Sequence, residues 1–238
     1  AVEALGKENV LSVLLPSHYS SEHSVKDSLE MCGNLKSPYK IIPIEDMYHN
    51  VEKNLKPHLE DKANDVTEEN IQARLRGLSL MAISNKLGYI LLNTTNTSEA
   101  AVGYGTLYGD MCGGLSVIGD LYKGQVYDLA RHINKEQEII PKNIITKAPS
   151  AELRPNQKDS DSLPDYDKLD AILFHYIEEQ LGPKEIITLG YDEALVNRVL
   201  RLVNISEWKR HQMAPVLRVS SKAFGMGRRV PIVAKYLG

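Results

Sequence analysis

The chain has 238 residues, of which 42% are apolar and 25% are charged, and its formal net charge is −3. This composition is typical of a globular protein with a sizeable core, and the weakly acidic balance argues against nucleic acid or an anionic membrane as the main partner. No apolar run approaches the ~18 residues of a membrane span. With no secretory signal at its start and only Cys32 and Cys112, the sequence predicts a reduced, cytoplasmic protein.

The chain opens with signals for the end of a helix and then a strand. Residues 1–6 fit the last turns of a helix with Gly6 at the C-cap position, so we expect more chain upstream. Residues 10–15 are an apolar run ended by Pro16, which predicts a buried parallel strand. The polar loop 17–24 follows that strand, at the end where open α/β sheets bind ligands.

Helix and strand signals then alternate along the chain. We predict a helix capped by Ser24, a strand over residues 39–44 and a helix over 45–59. A long helix over 67–88 begins at Thr67, which forms with Asn70 a pattern resembling a capping box. Its apolar positions recur at helical spacing: Ile71, Leu75, Leu78 and Ala82.

A strand over 89–92, a helix over 120–134 and helices over 166–180 and 183–205 complete the pattern. Alternation of this kind predicts an α/β fold with a doubly wound, mostly parallel sheet, helices on both faces and a C-terminal helical extension.

Two segments have a different composition. Residues 93–125 are rich in glycine, hydroxyl side chains and carboxylates, a combination that suits close approach to a ligand and a hard cation such as Mg²⁺. The alternative is a long surface loop. Residues 147–167 are polar and punctuated by proline, and they fit either a disordered linker or a mobile lid that closes on a substrate. The basic segment from Trp208 onward fits a solvated surface or a phosphate contact.

Five long strings resemble, in order, the synthetase domain of NAD⁺ synthetases, within the adenine nucleotide alpha-hydrolase-like superfamily, and more closely its glutamine-dependent branch. They are Arg74-Leu-Arg-Gly-Leu-Ser-Leu-Met-Ala, Tyr104-Gly-Thr-Leu-Tyr-Gly-Asp-Met-Cys-Gly-Gly, Gly119-Asp-Leu-Tyr-Lys-Gly-Gln-Val-Tyr, Pro149-Ser-Ala-Glu-Leu-Arg-Pro-Asn-Gln-Lys-Asp-Ser-Asp-Ser-Leu-Pro and Arg218-Val-Ser-Ser-Lys-Ala-Phe-Gly. The resemblance spans almost the whole chain, so residues 1–238 are expected to be one synthetase domain.

The resemblance implies a reaction in two steps. ATP adenylates the nicotinate carboxylate of deamido-NAD⁺ and releases pyrophosphate, after which ammonia attacks the acyl-adenylate to give NAD⁺ and AMP. Negative charge has to be neutralised where the carboxylate approaches the phosphate, which calls for Mg²⁺ and basic side chains. The resemblance also implies a homodimer or larger homo-oligomer.

Matching residue by residue, the resemblance assigns roles on the ATP side. Glu99 and Asp161 correspond to metal-binding carboxylates, and Lys123 to a catalytic lysine that reaches the phosphates. The remaining predicted ATP contacts are Leu15, Ser20, Ser21, Thr94 and Ser150. Plain alternatives stay open for these residues: Glu99 also fits a first-turn helix acid, and Lys123 an exposed helix lysine.

On the dinucleotide side, Asp110 matches an acidic position near the nicotinate end, which we expect to be catalytic, although a loop cap is the alternative. The other predicted contacts are Asn70, Arg74, Tyr104, Tyr108, Lys209 and Arg210. Two loop histidines, His18 and His23, suggest a metal or acid–base role, and an ordinary surface histidine is the favoured interpretation.

The sequence also departs from the family pattern. A pyrophosphate-binding loop of the type Ser-Gly-Gly-x-Asp-Ser occurs nowhere in the 238 residues, and neither does a glutaminase domain. Leu107 stands where ammonia-dependent relatives carry lysine. We therefore expect a fragment of a longer protein that binds ATP poorly and makes little NAD⁺ by itself. The competing hypotheses are another ATP-pyrophosphatase-type enzyme, such as a GMP synthetase or a thiolation enzyme, and a dinucleotide-binding module without the ATP loop.

Overall fold

The computed structural model describes residues 1–60, 62–225 and 227–233. The helices are α1 Val2–Leu5, α2 Glu22–Leu35, α3 Glu45–Leu55, α4 Val66–Leu87, α5 Thr97–Val102, α6 Lys123–Ile133, α7 Lys142–Thr146, α8 Tyr166–Ile177, α9 Pro183–Thr188, α10 Glu193–Ile205 and α11 Glu207–Arg210. The strands are β1 Ser12–Leu14, β2 Tyr39–Ile41, β3 Leu92–Asn93 and β4 Leu115–Ser116, and 3-10 turns lie at Lys7–Asn9, Lys56–His58 and Asp159–Asp161. No helix among the described residues has the length and apolar character to cross a membrane.

The chain divides into two compact units, and each contains one parallel strand pair. Unit 1 comprises residues 1–80 and 127–161, and unit 2 comprises residues 81–126 and the described part of 162–238. The predicted α/β class with parallel strands is confirmed.

In unit 1, β1 pairs with β2 in parallel, with Ser12 opposite Tyr39 and Leu14 opposite Ile41. The pairing continues past both strands, because the backbone N–H of Ile44 donates to the carbonyl of Pro16 at 2.9 Å. The loop after β1 and the start of α3 therefore emerge at the same edge of this strand pair. That shared edge brings side chains from two distant parts of the sequence together.

In unit 2, β3 pairs with β4 in parallel, and Asn93 lies opposite Ser116. Helices α5, α8, α9 and α10 pack around a continuous apolar core. Its fully buried members come from helix faces at the spacing of one turn: Leu169, Ile172, Leu173, Val196, Val199 and Leu200. The helical periodicity of the sequence therefore predicted this part of the fold well.

Several predicted boundaries were wrong because side-chain caps lie elsewhere. Ser21, rather than Ser24, caps α2 by accepting the backbone N–H of Ser24. At α4 the reciprocal bonds involve Asp65 and Glu68 instead of Thr67 and Asn70, since Asp65 Oδ1 accepts the N–H of Thr67 and Glu68 accepts that of Asp65, both at 2.7 Å. Both sequence patterns contain overlapping Ser, Thr, Asp and Glu, so local composition alone does not fix the cap.

Other elements are shorter than predicted. The strand expected over 89–92 is confined to β3, and Ile90 is 72% exposed because the chain is still leaving α4, with the Ser84 hydroxyl bonded to the Tyr89 carbonyl. The helix expected over 45–59 ends at Leu55 and continues as a 3-10 turn, and the one expected over 183–205 is divided into α9 and α10. Leu78, predicted as a core position of α4, is exposed.

Arg210 is a buried structural ion of unit 2. Its guanidinium is paired with Glu207 at 2.8 Å, donates to the carbonyls of Ala101 and Val203, and lies 4.7 Å over the Phe224 ring. Burial lowers the pKa of Arg210, opposed by its hydrogen bond and attraction to Glu207. These contacts hold the segment after α10 against α5, which is a structural role; the predicted contact with a dinucleotide stays a prediction.

We expect Arg210→Met to destabilise the protein by about 3 kcal/mol, because it leaves the Glu207 carboxylate buried without its main cation. Urea unfolding followed by circular dichroism measures the change. Arg201→Gln, on the exposed side of α10, is the matched control and should shift stability by no more than about 0.5 kcal/mol. Equal stability of the two variants would contradict the structural role.

Candidate active site

The end of β3 leads directly into a helix whose first turn carries Glu99. The Asn96 side chain accepts the backbone N–H of Glu99 at 3.0 Å, and Glu99 Oε2 accepts the N–H of Asn96 at 3.2 Å, so the two residues form a capping box. The other oxygen, Oε1, lies 3.2 Å from Lys123 Nζ. Glu99 is therefore both the first-turn acid that the sequence left open and the partner of the predicted phosphate lysine.

Lys123 is not an exposed helix lysine. Its side chain is 18% exposed, like that of Glu99, and its ammonium lies 5.2 Å from the centre of the Tyr166 ring. The ring face and the carboxylate both favour a fixed position for the cation. The structure thus brings Glu99 and Lys123, which are far apart in sequence, into one half-buried pair.

Two residues that the sequence analysis missed support this lysine. The Ser98 hydroxyl accepts the backbone N–H of Lys123 at 2.9 Å, and Asp170 of α8 accepts the N–H of Gly124 at 2.8 Å. Ser98 also donates to Asp170, and burial raises the pKa of this carboxyl against those hydrogen bonds. Since Asp170 lies in a helix whose sequence pattern indicates only core packing, no local signal pointed to it.

The segment 104–114 is organised by buried hydrogen bonds from Asn93. The Asn93 amide donates to the carbonyls of Asp110 and Cys112 at 2.8 and 3.2 Å, and its oxygen accepts the Ser116 hydroxyl at 3.1 Å. A side chain at Gly113, where φ is +150°, would come within 3.1 Å of the backbone of Asn93 and Leu91. The loop is thus fixed to the end of β3, directly before the exposed Thr94.

The charges of Asp110 and Lys209 attract each other at this loop. Asp110 Oδ1 accepts the N–H of Thr106 at 2.8 Å, as in the loop-cap alternative, and the Lys209 ammonium donates to the carbonyls of Gly103 and Gly105, both at 2.8 Å. Desolvation raises the pKa of Asp110, although part of the residue faces solvent, and burial lowers the pKa of Lys209. Each shift is opposed by attraction to the other group.

The tyrosines of the loop differ in position. Tyr104 packs against the apolar core of unit 2, whereas Tyr108 is 67% exposed and has φ of +63°, in the left-handed region. The Tyr108 hydroxyl donates to Gln212 at 2.6 Å, beyond the end of α11. Next to Lys209, Trp208 is 45% exposed, with the ammonium 6.0 Å from its ring. Exposed rings beside a lysine suit stacking against an aromatic ligand.

The predicted ATP contacts Leu15, Ser20 and Ser21 lie in the segment that follows β1. The Leu15 carbonyl accepts Arg76 Nε at 3.0 Å, and the Ser20 hydroxyl accepts the N–H of Ser17 at 3.1 Å. Ser21 caps α2. These contacts fix the conformation of the loop after β1, at the edge where the chain leaves the strand pair.

Glu152 lies in the string that begins at Pro149, and no individual role was predicted for it. Its carboxylate lies at the N-terminus of α2, where it accepts the hydroxyls of Ser21 and Ser24, both at 2.7 Å, and the backbone N–H of Ser21 at 3.3 Å. Lys147 donates to the Ser24 hydroxyl at 2.8 Å. Burial of Glu152 opposes ionisation, but the hydrogen bonds from Ser24 and Ser21 outweigh it and lower the pKa of the carboxyl. The expected lid segment is thus anchored here.

The same segment also contacts α4. Gln72 donates to the carbonyl of Leu153 at 2.9 Å, and Arg154 lies 3.4 Å from Glu69 and 3.2 Å from Asp161. The predicted phosphate contact Ser150 donates to the Gln157 carbonyl at 2.6 Å, within the loop. On α4, Asn70 precedes Gln72 and is half-buried, whereas Arg74 follows Gln72 and is exposed. The structure therefore groups these predicted residues around one helix.

Comparison with known proteins gives this geometry its context. A profile described as NAD synthase matches residues 1–213. The chain belongs to the NAD synthase family. It is 51% identical over 236 residues to a glutamine-dependent NAD(+) synthetase of Synechocystis, and 48% identical over 238 residues to one of Thermotoga maritima. Each match includes 99% of this chain but only 42% and 41% of the relative, respectively. The chain therefore spans about two-fifths of the length of these relatives.

Solved NAD synthetases share the fold. The glutamine-dependent enzyme of Acinetobacter baumannii, in complex with ADP, has a TM-score of 0.62 at 43% identity, covering 98% of this chain and 42% of that one. The NMN synthetase of Francisella tularensis has a TM-score of 0.71 at 27% identity, covering 84% of this chain and 75% of that one. Membership of the NAD synthase family confirms the predicted resemblance, while the roles of the individual residues stay predictions.

We expect acidification to loosen residues 147–161 through Glu152. Because the folded-state pKa is lowered below its ordinary 4.5, the carboxylate stabilises the segment above that pH, and this contribution is lost as the pH falls through the folded pKa. Hydrogen exchange measured by mass spectrometry, corrected for intrinsic rates, should show reduced protection of the segment below about pH 4.

Glu152→Gln is the control, because it keeps the shape and an acceptor but has no charge to lose. It should show the weaker protection at every pH. Identical protection profiles for the variant and the parent chain would show that the carboxylate does not hold this segment.

Proposed function

We propose that this chain carries the synthetase step of NAD⁺ formation: amidation of deamido-NAD⁺ through an acyl-adenylate, using ATP and ammonia and releasing AMP and pyrophosphate. The observation that carries the proposal is the half-buried Glu99–Lys123 pair at the end of β3, in a chain of the NAD synthase family. A fixed lysine beside a carboxylate provides the positive charge and the hard oxygen ligand that adenylation of a carboxylate requires.

In this proposal Lys123 stabilises charge on the ATP phosphates during attack by the nicotinate carboxylate. Its position before the reaction is set by Glu99, by the Tyr166 ring and by the backbone bonds to Ser98 and Asp170. Little reorganisation is then needed when the ligand arrives, which is the condition under which a charged group lowers a barrier most. Thr94, which is exposed before α5, is proposed to add a hydroxyl contact from the same unit.

Glu99 of unit 2 is proposed as a Mg²⁺ ligand, and Asp161 of unit 1 is proposed separately as a Mg²⁺ ligand. The ion would neutralise phosphate charge when bound. Both residues fit this ion in donor type, since carboxylate oxygens are what Mg²⁺ prefers. Each now contacts a basic side chain, Lys123 for Glu99 and Arg154 for Asp161, so each carboxylate already sits in a position that attracts positive charge.

The other end of the substrate is proposed to bind on the loop 104–114. Tyr104, Tyr108 and Lys209 are proposed to contact the nicotinate and phosphate groups of the dinucleotide, with the exposed Tyr108 ring suited to stacking and Lys209 to pairing with phosphate. Asp110 is proposed to act near the incoming ammonia, where a raised pKa helps a carboxyl to exchange a proton. In unit 1, Asn70 and Arg74 are proposed as further dinucleotide contacts, and Leu15, Ser20, Ser21 and Ser150 as ATP contacts.

The partners of the chain follow from the same proposal. The relatives named as glutamine-dependent are more than twice as long as this chain, so we propose that ammonia reaches the site from glutamine through a glutaminase domain upstream, in a homo-oligomer in the cytoplasm. Cys32 and Cys112 are free thiols, in keeping with that compartment. Residues 147–167 remain our proposal for the lid.

Substrate preference separates the proposal from its competitors. We expect the intact gene product to convert deamido-NAD⁺ to NAD⁺ with ATP, Mg²⁺ and ammonium, releasing AMP, as measured by liquid chromatography. Nicotinate mononucleotide is the comparison substrate, because one structural relative is an NMN synthetase. Preferred turnover of the mononucleotide would overturn the assignment, and binding of deamido-NAD⁺ without any turnover would favour a binding module.

We expect Lys123→Met to lower kcat by about 10²–10³ while binding of deamido-NAD⁺ changes little, because the lost charge acts on the developing phosphate charge. The measurement is steady-state kinetics on the intact gene product, with binding followed by calorimetry. Lys184→Met, at an exposed position of α9, is the control and should leave kcat unchanged. A variant Lys123→Met that keeps full kcat would remove Lys123 from the mechanism.

A further inference from the structure

Two histidines and a glutamate meet at the carboxyl edge of the strand pair in unit 1. His18 lies in the loop after β1, whereas Glu45 and His49 lie one turn apart on α3, which follows β2. Because β1 and β2 are parallel neighbours, the segments that follow them emerge at the same edge. One ligand atom from each of these three residues lies within 4.8 Å of the other two.

The ligand atoms of the three side chains are close to the spacing that a metal ion requires. His49 Nε2 faces Glu45 Oε1 at 3.6 Å, and the His18 ring is stacked on the His49 ring at 14°, with ring centres 5.9 Å apart. Nitrogen and oxygen ligands about 2.0–2.1 Å from a tetrahedral ion are about 3.4 Å apart. No separation therefore has to shrink by more than roughly 1.4 Å, which rotation of three exposed side chains can supply.

A second carboxylate lies beside the other ring nitrogen of His49. Glu52 Oε2 lies 3.7 Å from His49 Nδ1, on the nitrogen that does not face Glu45. The Tyr48 hydroxyl donates to the other oxygen of Glu52 at 3.5 Å. Metal-bound histidines commonly present their second nitrogen to a carboxylate, which fixes the tautomer and raises the basicity of the ligating nitrogen. Glu52 is placed for this supporting role.

We infer that His18, Glu45 and His49 form a binding site for a divalent transition-metal ion, with Zn²⁺ as the representative ion. Two imidazoles and one carboxylate are a ligand set for such ions, and this set differs from the all-oxygen ligands proposed for Mg²⁺. The ion would join the loop after β1 to α3. That loop continues into Ser20 and Ser21, so metal binding would restrict the segment proposed to contact ATP.

The other three histidines of unit 1, His23, His58 and His132, lie outside the three-residue set and provide an internal comparison. His23 is exposed in the first turn of α2 and lies 3.1 Å from the Ser21 hydroxyl, outside the three-residue set. His58 is exposed in the 3-10 turn after α3 and is likewise outside it. Replacing His58 removes one imidazole from the same unit and leaves the site intact.

The test is Zn²⁺ binding by the tag-free, chelator-treated 238-residue chain, measured in competition with a chromophoric chelator. We expect one equivalent of Zn²⁺ to bind, His18→Gln and His49→Gln each to weaken binding at least tenfold, and His58→Gln to bind as the parent does. Zn²⁺ should also raise the Tm of the parent and of His58→Gln, but not that of His49→Gln. Circular dichroism checks that the variants are folded.

Co²⁺ serves as the spectroscopic probe of the ligands. Visible absorption of the Co²⁺ form should show nitrogen and oxygen ligation with no thiolate charge-transfer band, because neither Cys32 nor Cys112 belongs to the three-residue set. The inference is overturned if the folded parent takes up no stoichiometric Zn²⁺, if the His18→Gln, His49→Gln double variant binds it as tightly as the parent, or if a thiolate band appears.

Discussion

The hydrogen bonds of one buried amide, Asn93, determine the shape of the candidate site in unit 2. The strand β3 ends there, and the side chain satisfies donors and acceptors on three other segments at once: the turn at Thr95, the loop at Asp110 and Cys112, and Ser116 of β4. A parallel pair only two residues long cannot organise such loops by backbone bonds alone. Fully satisfied buried networks of this kind impose one conformation, because any rearrangement leaves a polar group unpaired in a dry environment.

This constraint reaches the charged residues. The turn that Asn93 fixes begins α5, whose first residues are the capping box of Asn96 and Glu99. The end of β3 therefore sets the position of the Glu99 carboxylate. Through the ion pair, it also sets the position of the Lys123 ammonium. On the other branch, the loop that carries Asp110 is attached to the same amide. The two halves of the proposed site within unit 2 are thus built from one point, and their spacing does not depend on long flexible side chains.

The sequence predicted the helices and strands that depend on the properties of a few consecutive residues. Amphipathic spacing identified α8 and α10, and an apolar run before Pro16 identified β1, since period and punctuation are properties of a few consecutive residues. Caps were less predictable, because Ser21 and Asp65 compete with neighbouring residues of equal propensity. Leu78 was misjudged because the face of a helix that is buried depends on what packs beside it.

Within the candidate site, similarity of long strings assigned roles to residues, and these roles stay predictions. The carboxylates that hold the surrounding backbone in place were not predicted. Asp170 of α8 accepts a backbone N–H at the start of α6, Asp120 accepts those of Val219 and Ser220, and Glu152 accepts the hydroxyl of the α2 cap. Each of these bonds joins residues 46 or more positions apart in sequence. Composition marks such carboxylates only as ordinary helix or loop acids. Their function follows from the donors that the fold brings to them, which are backbone N–H groups and hydroxyls without any sequence signature.

The position of Trp208 has a spectroscopic consequence. It is the single tryptophan of the 238 residues, it is partly exposed, and its ring lies beside Lys209 at the base of the loop 104–114. Excitation at the red edge of the protein absorption band therefore excites Trp208 in unit 2 and does not excite the twelve tyrosines. Intrinsic tryptophan emission from these 238 residues is a local signal from α11, without the need to introduce a label.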